Sequence, residues 1–429
     1  MTAGILFGFL ALFLVIQVPI GIALGAASLI TIWASGLVKV NYLAQSLTTA
    51  TDSFPLMAVP FFILAGGFMG EGGISRRLLD TAALLVGRMT GGLGLVTVAA
   101  CMFFAAISGS GPATVAAIGG IMLPAMVKEG YEKGFAGGLV ATSGSIGVII
   151  PPSIPMVIFC VAAEKVSISD LFIAGVFPGL LVGALLMGWT WFVSRKNGWK
   201  TKDLKRYTTR ETLRILNDAK WALFVPVIIL GGIYGGIFTP TEAAAVAVVY
   251  GFVVGVFIYK DLSLKDAPKV VIQAGLTTAT VLVIIGTATT FGRILTLERV
   301  PQMLVETISA FSTNPLVILL LINLLLLVVG CFMETLAAII ILAPILLPVA
   351  MAVGIDPIHF GIIMVVNLAI GFITPPLGVN LFVTCGIAKM PLEQLAKSIV
   401  PWFFVMLTAL AIIVIFPGLS TWLPALVRG

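Results

Sequence analysis

The residues best suited to chemistry are not acids or histidines but small polar ones set in apolar surroundings. Ser108 to Thr114 reads "SGSGPAT" and Gly144 to Pro155 reads "GSIGVIIPPSIP". Proline lacks an amide hydrogen and its ring clashes with the preceding turn. Pro151-Pro152 should therefore split a helix into two halves, with free carbonyls at one cut end and free amides at the other. Free carbonyls at a half-helix C-terminus suit a small hard cation such as sodium, whereas the N-terminal end of a half-helix suits a carboxylate. The same pattern recurs: Pro375-Pro376 lies 224 residues after Pro151-Pro152. That offset also pairs Pro124 with Pro348, Gly130 with Gly354, Gly137 with Gly361, Gly147 with Gly371 and Lys165 with Lys389. Each twin proline follows an interruption by 43 residues, at Ser108 in one half and Phe332 in the other. Two sites are expected. One joins Ser108–Thr114 to Gly147–Ser153, and the other joins Cys331–Thr335 to Gly371–Asn380. Ser145, Pro152, Ser153, Asn380 and Thr384 are the candidates to line the path of a carboxylate.

The elements that must position these residues follow from composition. Hydrophobic residues make up 60% of the 429 and charged residues 10%, which no water-soluble surface accommodates. The expected fold is an all-α polytopic membrane protein, because helices satisfy their own backbone hydrogen bonds in lipid and the alternating pattern of a barrel is missing. Apolar runs place spans near 4–33, 54–70, 135–163, 169–194, 219–237, 240–259, 270–291, 357–388 and 398–425, the first read as a span and not a cleaved signal peptide. Regions 91–127 and 314–352 are interrupted in the middle and read as re-entrant hairpins. With the Arg195–Lys220 loop cytoplasmic, nineteen of the 24 basic residues fall on the cytoplasmic side, in 71–91, 127–134, 194–220, 260–269 and 389–397. The N-terminus is then expected in the cytoplasm and the C-terminus in the periplasm. The two broken segments are five crossings apart, so the halves insert upside down relative to each other, the inverted-repeat plan of secondary transporters. Residues 1–90 and 195–313 read as scaffold and 91–194 and 314–429 as two halves of a transport unit. Two amphipathic stretches, Ser75–Arg88 and Leu297–Phe311, read as interfacial arms before the hairpins.

Other polar residues have plainer readings. Glu334 either ligates a cation or caps the following half-helix. Glu242 reads as a cap beside Thr239 and Thr241, Asp52 and His359 as interfacial, and the four cysteines as buried packing residues. The net charge of +6 is concentrated in a loop without a nucleic-acid motif. No Gly-Lys dipeptide occurs, so there is no Walker A site, and no hydrolase motif is present.

"FPLMAVPFFILAGG" (54–67), "SGSGPATVAAIGG" (108–120), "IPPSIP" (150–155), "YGGIFTPTEAAAVA" (234–247) and "GFITPPLGVNLF" (371–382) resemble, over essentially the whole chain, the large membrane subunit of tripartite ATP-independent periplasmic (TRAP) transporters. The resemblance implies a bacterial inner-membrane symporter of the ion-transporter-superfamily fold that imports organic acids by an elevator mechanism. It implies two or more coupling Na+ ions and no organic cofactor. One sodium site would use Ser108, Gly109, Ser110, Gly147, Val148, Ile150 and Pro151; the other would use Cys331, Met333, Glu334, Thr335, Gly371, Thr374 and Pro375. It also implies a periplasmic substrate-binding protein and a small four-helix membrane subunit as separate partners, with C4-dicarboxylates, sialic acids, keto acids and sugar acids as substrates. A stand-alone sodium/anion symporter of the same fold is the alternative, ahead of an intramembrane enzyme or a channel.

Overall fold

The computed structural model describes residues 2–36, 38–164, 166–199, 208–311 and 314–428. Among the described residues all regular structure is helical, and eight helices are long and apolar enough to cross a membrane. Lys165 and the basic residues Lys200, Lys202, Lys205 and Arg206, which carried part of the repeat and charge expectations, lie outside the described residues.

Both twin prolines interrupt helices. The first broken segment runs Lys133–Ser145, a tight turn at Ile146–Val148, an irregular stretch, then Ile154–Ala163. The second runs Pro357–Gly371, an irregular stretch, then Val379–Ala388. Each follows a hairpin: Gly92–Ser108 with a second limb from Gly111 to Lys128, and Pro315–Phe332 with Thr335–Ala352. Helices starting at Gly111, Lys133 and Ile168 have counterparts starting 224 residues later at Thr335, Pro357 and Leu392. The repeat seen in proline and glycine spacing is thus a repeat of whole elements, and the fold is an inverted repeat of hairpin and broken helix. The broken segments occupy the centre, since every residue of 136–149 and of 358–373 is buried. Two buried amides hold the second repeat together, Asn367 Nδ2 donating to Asn323 Oδ1 (2.7 Å) and to the Asn323 carbonyl (3.0 Å). In an apolar medium such bonds fix one helix against another. His359 is buried, not interfacial as expected; its Nδ1 lies 2.8 Å from Ser420 Oγ on the C-terminal helix.

The remaining helices form the frame. Pro240–Val253 packs on Ala58–Glu71, which packs on Ala267–Leu297. Glycines set the approach: a Cβ at Gly251 would meet Met69 Cγ at 2.9 Å, and one at Gly67 would meet Val270 Cγ1 at 2.8 Å. The two amphipathic stretches form helices, Ile74–Val86 and Val300–Phe311.

Three further expectations change. Residues 4–33 are not one span but two helices, Thr2–Val15 and Ile20–Ser35, joined through Gln17 at φ 63°. They fold back on each other. Phe7 packs on Phe291 (5.7 Å between rings), while Gly21 and Gly25 of the returning helix abut Ile284 and Thr287. The single run read as one span is thus a pair of shorter apolar helices. Second, residues 398–425 are a helix from Leu392 to Ile415 and a separate amphipathic helix, Gly418–Arg428, whose Trp422 packs on Phe177 at 5.6 Å. Third, an unanticipated helix, Asn41–Thr51, lies along Ala267–Leu297, with Leu47 against Gly286.

The five segments expected on one side do meet. Arg77 Nη1 donates to Asp261 Oδ2 (2.6 Å) and to the Gly73 carbonyl (2.9 Å), its Nε lies 3.3 Å from Asp218, and its guanidinium sits 3.6 Å from the Tyr259 ring centroid. Trp199 stacks on Tyr131 (4.9 Å) and its carbonyl accepts the Gly91 amide, while Lys133 Nζ donates to the Lys389 carbonyl (3.2 Å). These contacts chain 71–91, 194–220, 260–269, 127–134 and 389–397 into one face.

Arg77 joins the first arm to two frame elements. Its side chain is 15% exposed, against 60% and 46% for the two aspartates, so removal strands no buried charge and the loss is mainly cation–π and shared ion-pair energy. Arg77→Ala is expected to cost about 1–2 kcal/mol. Arg76→Ala, on the exposed side of the same helix, should be neutral. Thermal unfolding of the detergent-purified protein checks this; equal melting temperatures for the two variants would remove the clamp.

Candidate functional site

Each hairpin tip ends at the break of its own repeat. At the first junction Gly109 takes φ 60°, and its carbonyl accepts the Ile154 amide at 3.3 Å, a donor that the break freed. Ser153 caps the second half-helix: its Oγ accepts the Met156 amide (3.4 Å) and donates to the Val148 carbonyl (2.6 Å). Ser108 Oγ lies 3.0 Å from Thr114 Oγ1, which donates to the Ser110 carbonyl at 2.8 Å. Gly147 is the contact point, because a Cβ there would stand 2.5 Å from both the Ser110 carbonyl oxygen and Thr114 Oγ1. The carbonyls of Gly147, Ile150 and Pro151 accept no backbone amide or hydroxyl among the described residues. The oxygens gathered here are neutral, from carbonyls and hydroxyls, a donor set that suits a monovalent hard cation.

The second junction repeats the logic. The Cys331 carbonyl accepts the Leu377 amide at 3.1 Å, and a Cβ on Gly371 would stand 2.6 Å from the Gly330 carbonyl oxygen. Thr335 Oγ1 donates to the Leu368 carbonyl (3.4 Å), and Thr374 Oγ1 to that of Ile370 (2.7 Å). Glu334 forms the cap: its Oε2 accepts the amides of Leu336 (3.0 Å) and Ala337 (3.2 Å). Helix starts favour such a carboxylate through their unpaired amides. The two junctions differ in exposure. Pro151 and Pro152 are buried, whereas Pro375 and Pro376 are exposed.

Both junctions border one cavity of about 1330 Å³. The first hairpin contributes Ser108, Gly109 and Ser110 and its break contributes Val148 and Ile154; the second contributes Glu334, with Phe372 and Val379 beyond. The opposite wall is frame: Gly66 and Gly70 on one helix, Gln273, Thr277 and Thr280 on another, and Glu71, Asp266 and Lys269 at one end. Hydrogen bonds from Lys269 and then Ser263 hold the Asp266 carboxyl below its usual range.

The expected carboxylate-path residues sit elsewhere. Ser145, Ser153, Asn380 and Thr384 are fully buried, and Pro152 is buried too. Asn380 Nδ2 donates to the Ala141 carbonyl (3.0 Å) and to Ser145 Oγ (3.2 Å), tying the first half-helix of one repeat to the second half-helix of the other. The Asn380–Ser145 pair thus holds the repeats together, and none of the five residues lines the cavity. Sequence reading missed Gln273, Thr277 and Thr280. Their spacing of four and three residues marks one face of an apolar helix, a signal lost when hydropathy is averaged over a span.

A polytopic helical bundle with inverted repeats, paired hairpin tips and broken helices around one cavity has the architecture of a membrane transporter. Comparison with known proteins agrees. Residues 7–419 match the family described as the tripartite ATP-independent periplasmic transporter, DctM component. The chain is 53% identical over 415 residues to the isethionate TRAP transporter permease protein DctMQ of Oleidesulfovibrio alaskensis, covering 97% of this chain and 65% of that longer one. It is 47% identical to the C4-dicarboxylate TRAP transporter large permease protein DctM of Pseudomonas aeruginosa, covering 94% and 93% of the two chains. With the sialic acid TRAP transporter large permease protein SiaM of Vibrio cholerae it shares 41% identity over 99% of both. Among solved structures, the YdaH transporter of Alcanivorax borkumensis shares the fold at a TM-score of 0.64 and 18% identity, with 88% of each chain covered. The chain belongs to the TRAP transporter large permease family.

Gly147 and Gly371 are where a tip touches a break. Gly147→Ala and Gly371→Ala should each force tip and break apart at a cost of about 1–3 kcal/mol, while Gly120→Ala, with open space at its Cβ, should be tolerated. Melting temperatures of the three purified variants give the test, and an unshifted Gly147→Ala would mean the junction is looser than drawn.

Proposed function

We propose that this permease imports a small organic acid across the bacterial inner membrane, coupled to sodium and fed by a periplasmic binding protein. The observation that carries the reading is the convergence of both tip–break junctions on one cavity. Ser108, Ser110 and the carbonyls of Gly147, Ile150 and Pro151 would hold one Na+. Thr335, Thr374 and the carbonyls around Cys331, Gly371 and Pro375 would hold a second. A bound cation supplies charge that favours a carboxylate or sulfonate nearby. The chain's own part is to aim neutral oxygens inward and to leave the cavity open to the solute.

Sidedness follows from charge. The face built from the five basic segments is cytoplasmic under the positive-inside rule. If both helices of the N-terminal fold-back cross, the N-terminus would lie on the periplasmic side; with one crossing it would lie in the cytoplasm, as the sequence reading expects. The cavity ends at Glu71, Asp266 and Lys269, which belong to segments of the basic face, so this conformation is open inward. In an elevator cycle the two hairpins and broken helices would move as one body against the frame helices Ala58–Glu71 and Ala267–Leu297, with Gly66 passing the first tip. A Cβ on Gly66 would lie 3.4 Å from Ser108 Cα. The substrate named for relatives is isethionate, a C4-dicarboxylate or sialic acid. Two-carbon sulfonates and four-carbon diacids are the first to try, given the two higher identities.

The test is reconstitution of this chain with a small membrane subunit and a periplasmic binding protein in proteoliposomes. Uptake of succinate, isethionate or N-acetylneuraminate is expected only with an inward sodium gradient and with all three proteins, and Ser108→Ala should raise the sodium concentration needed. Uptake by the chain alone would favour the stand-alone symporter, and uptake indifferent to sodium would end the coupling proposal.

A further inference from the structure

The first tip faces a frame helix, Ala267–Leu297, that is 31 residues long and so spans about 46 Å. Two of its faces are exposed, and they differ in chemistry. Ile272, Leu276 and Val283 form an apolar face, 63%, 62% and 50% exposed, suited to lipid. Gln273, Thr277 and Thr280 are exposed on the other face, in line with Lys269, and all four line the cavity. From Lys269 at the inner mouth to Thr280 the stripe runs eleven residues, or about 16 Å, along the wall of the cavity that Ser108 and Ser110 also line. A glutamine amide in that position would be costly against hydrocarbon and is at ease against water or a solute.

The hydrogen bonds divide the labour within the stripe. Thr277 Oγ1 donates to the Gln273 carbonyl (3.0 Å) and Thr280 Oγ1 to that of Leu276 (3.1 Å), so each hydroxyl has spent its hydrogen and has only lone pairs left to offer the cavity. The Gln273 side chain makes no hydrogen bond among the described residues, which leaves both its amide hydrogens for an anion. Neutral donors hold an anion loosely enough to release it. Lys269, the one cation in the stripe, is occupied by Asp266 at 2.7 Å.

We propose that Gln273, Thr277 and Thr280 form a release track on the frame: Gln273 bonds the departing carboxylate or sulfonate directly, and the two threonines keep the cavity wall beside it hydrated. The track rests on the transport reading above, and it assigns to the frame a positioning role in discharge that the tip–break junctions do not supply.

Two measurements on the full transporter complex test it separately from that reading. Sulfonatoethyl methanethiosulfonate is itself a small organic anion. Applied from the cytoplasmic side of inside-out vesicles, it should modify Gln273→Cys and Thr280→Cys about tenfold faster than Ile272→Cys or Leu276→Cys, with the native chain as baseline. Equal rates on the two faces would overturn the track whether or not the complex transports. In proteoliposomes, with whichever of succinate, isethionate and N-acetylneuraminate the native complex takes up, Gln273→Leu should lower the maximal rate about fivefold. Gln273→Asn should recover part of it, and the sodium concentration at half-maximal uptake should stay the same. A Gln273→Leu rate equal to the native one, or a loss matched by a change in sodium dependence, would also overturn the track. A native complex that takes up none of the three anions would instead count against the transport reading, leaving the labelling result to judge the track.

Discussion

Everything in this fold turns on the backbone groups that two interrupted helices leave unpaired inside an apolar body. An unbonded amide or carbonyl in such surroundings costs several kcal/mol, and two of the freed amides are answered by the hairpin tips. The Gly109 carbonyl takes the Ile154 amide, and the Cys331 carbonyl takes that of Leu377. Ser153 answers one more from within its own half-helix, and Glu334 answers two at the start of the second hairpin limb. The carbonyl side is answered less fully, since those of Gly147, Ile150 and Pro151 point to no protein donor among the described residues. That imbalance, carbonyls left unbonded beside amides that are capped, is the feature on which the proposed cation site rests.

The glycines at 147 and 371 serve this arrangement. Each removes the one atom that would keep tip and break apart, and each occupies the same place in its repeat. The equivalence is geometric as well as sequential, because helix after helix begins at the same offset. Yet the two copies are not interchangeable. The first break is sealed and bonded through Ser153, whereas the second leaves its prolines at the surface and carries a carboxylate cap in place of the first tip's serines. The repeat gives two junctions of one geometry, and the residues at their tips give them different electrostatics.

How much of this was legible in the sequence depends on what kind of signal each feature leaves. Prolines and glycines are rare enough in an apolar chain for a shared offset to stand out, so breaks, hairpins and repeat could all be read, and the amphipathic arms with them. The N-terminal fold-back could not be read from hydropathy, because Gln17 and Pro19 interrupt the run too briefly to look like an end. Faces were the harder problem. Asn380 and Ser145 were polar residues in a promising place, but in helices buried on every side nothing local says which face meets a cavity, and these two meet each other. Gln273 lay in a span chosen for its mean hydropathy, where one amide counts for little.

The frame carries two sorts of contact surface. Where the bodies must hold, contacts are specific: Arg77 grips two aspartates and an aromatic ring, and paired asparagines lock Pro315–Phe332 to Pro357–Gly371. Where the first tip meets the frame, the contacting residue is Gly66, backbone against backbone, with no side chain to interlock. Below it the glycine face continues into the cavity at Gly70, and across from it stands the polar stripe of Gln273, Thr277 and Thr280. The two surfaces differ in kind: a smooth backbone contact at Gly66 and a wall of hydrogen-bonding side chains at Gln273, Thr277 and Thr280. The sequence "ILAGGFMGEGG" thus becomes intelligible beside the tip it faces: small residues where the backbone of the tip comes close, and a carboxylate, Glu71, only where the run reaches the end of the cavity wall.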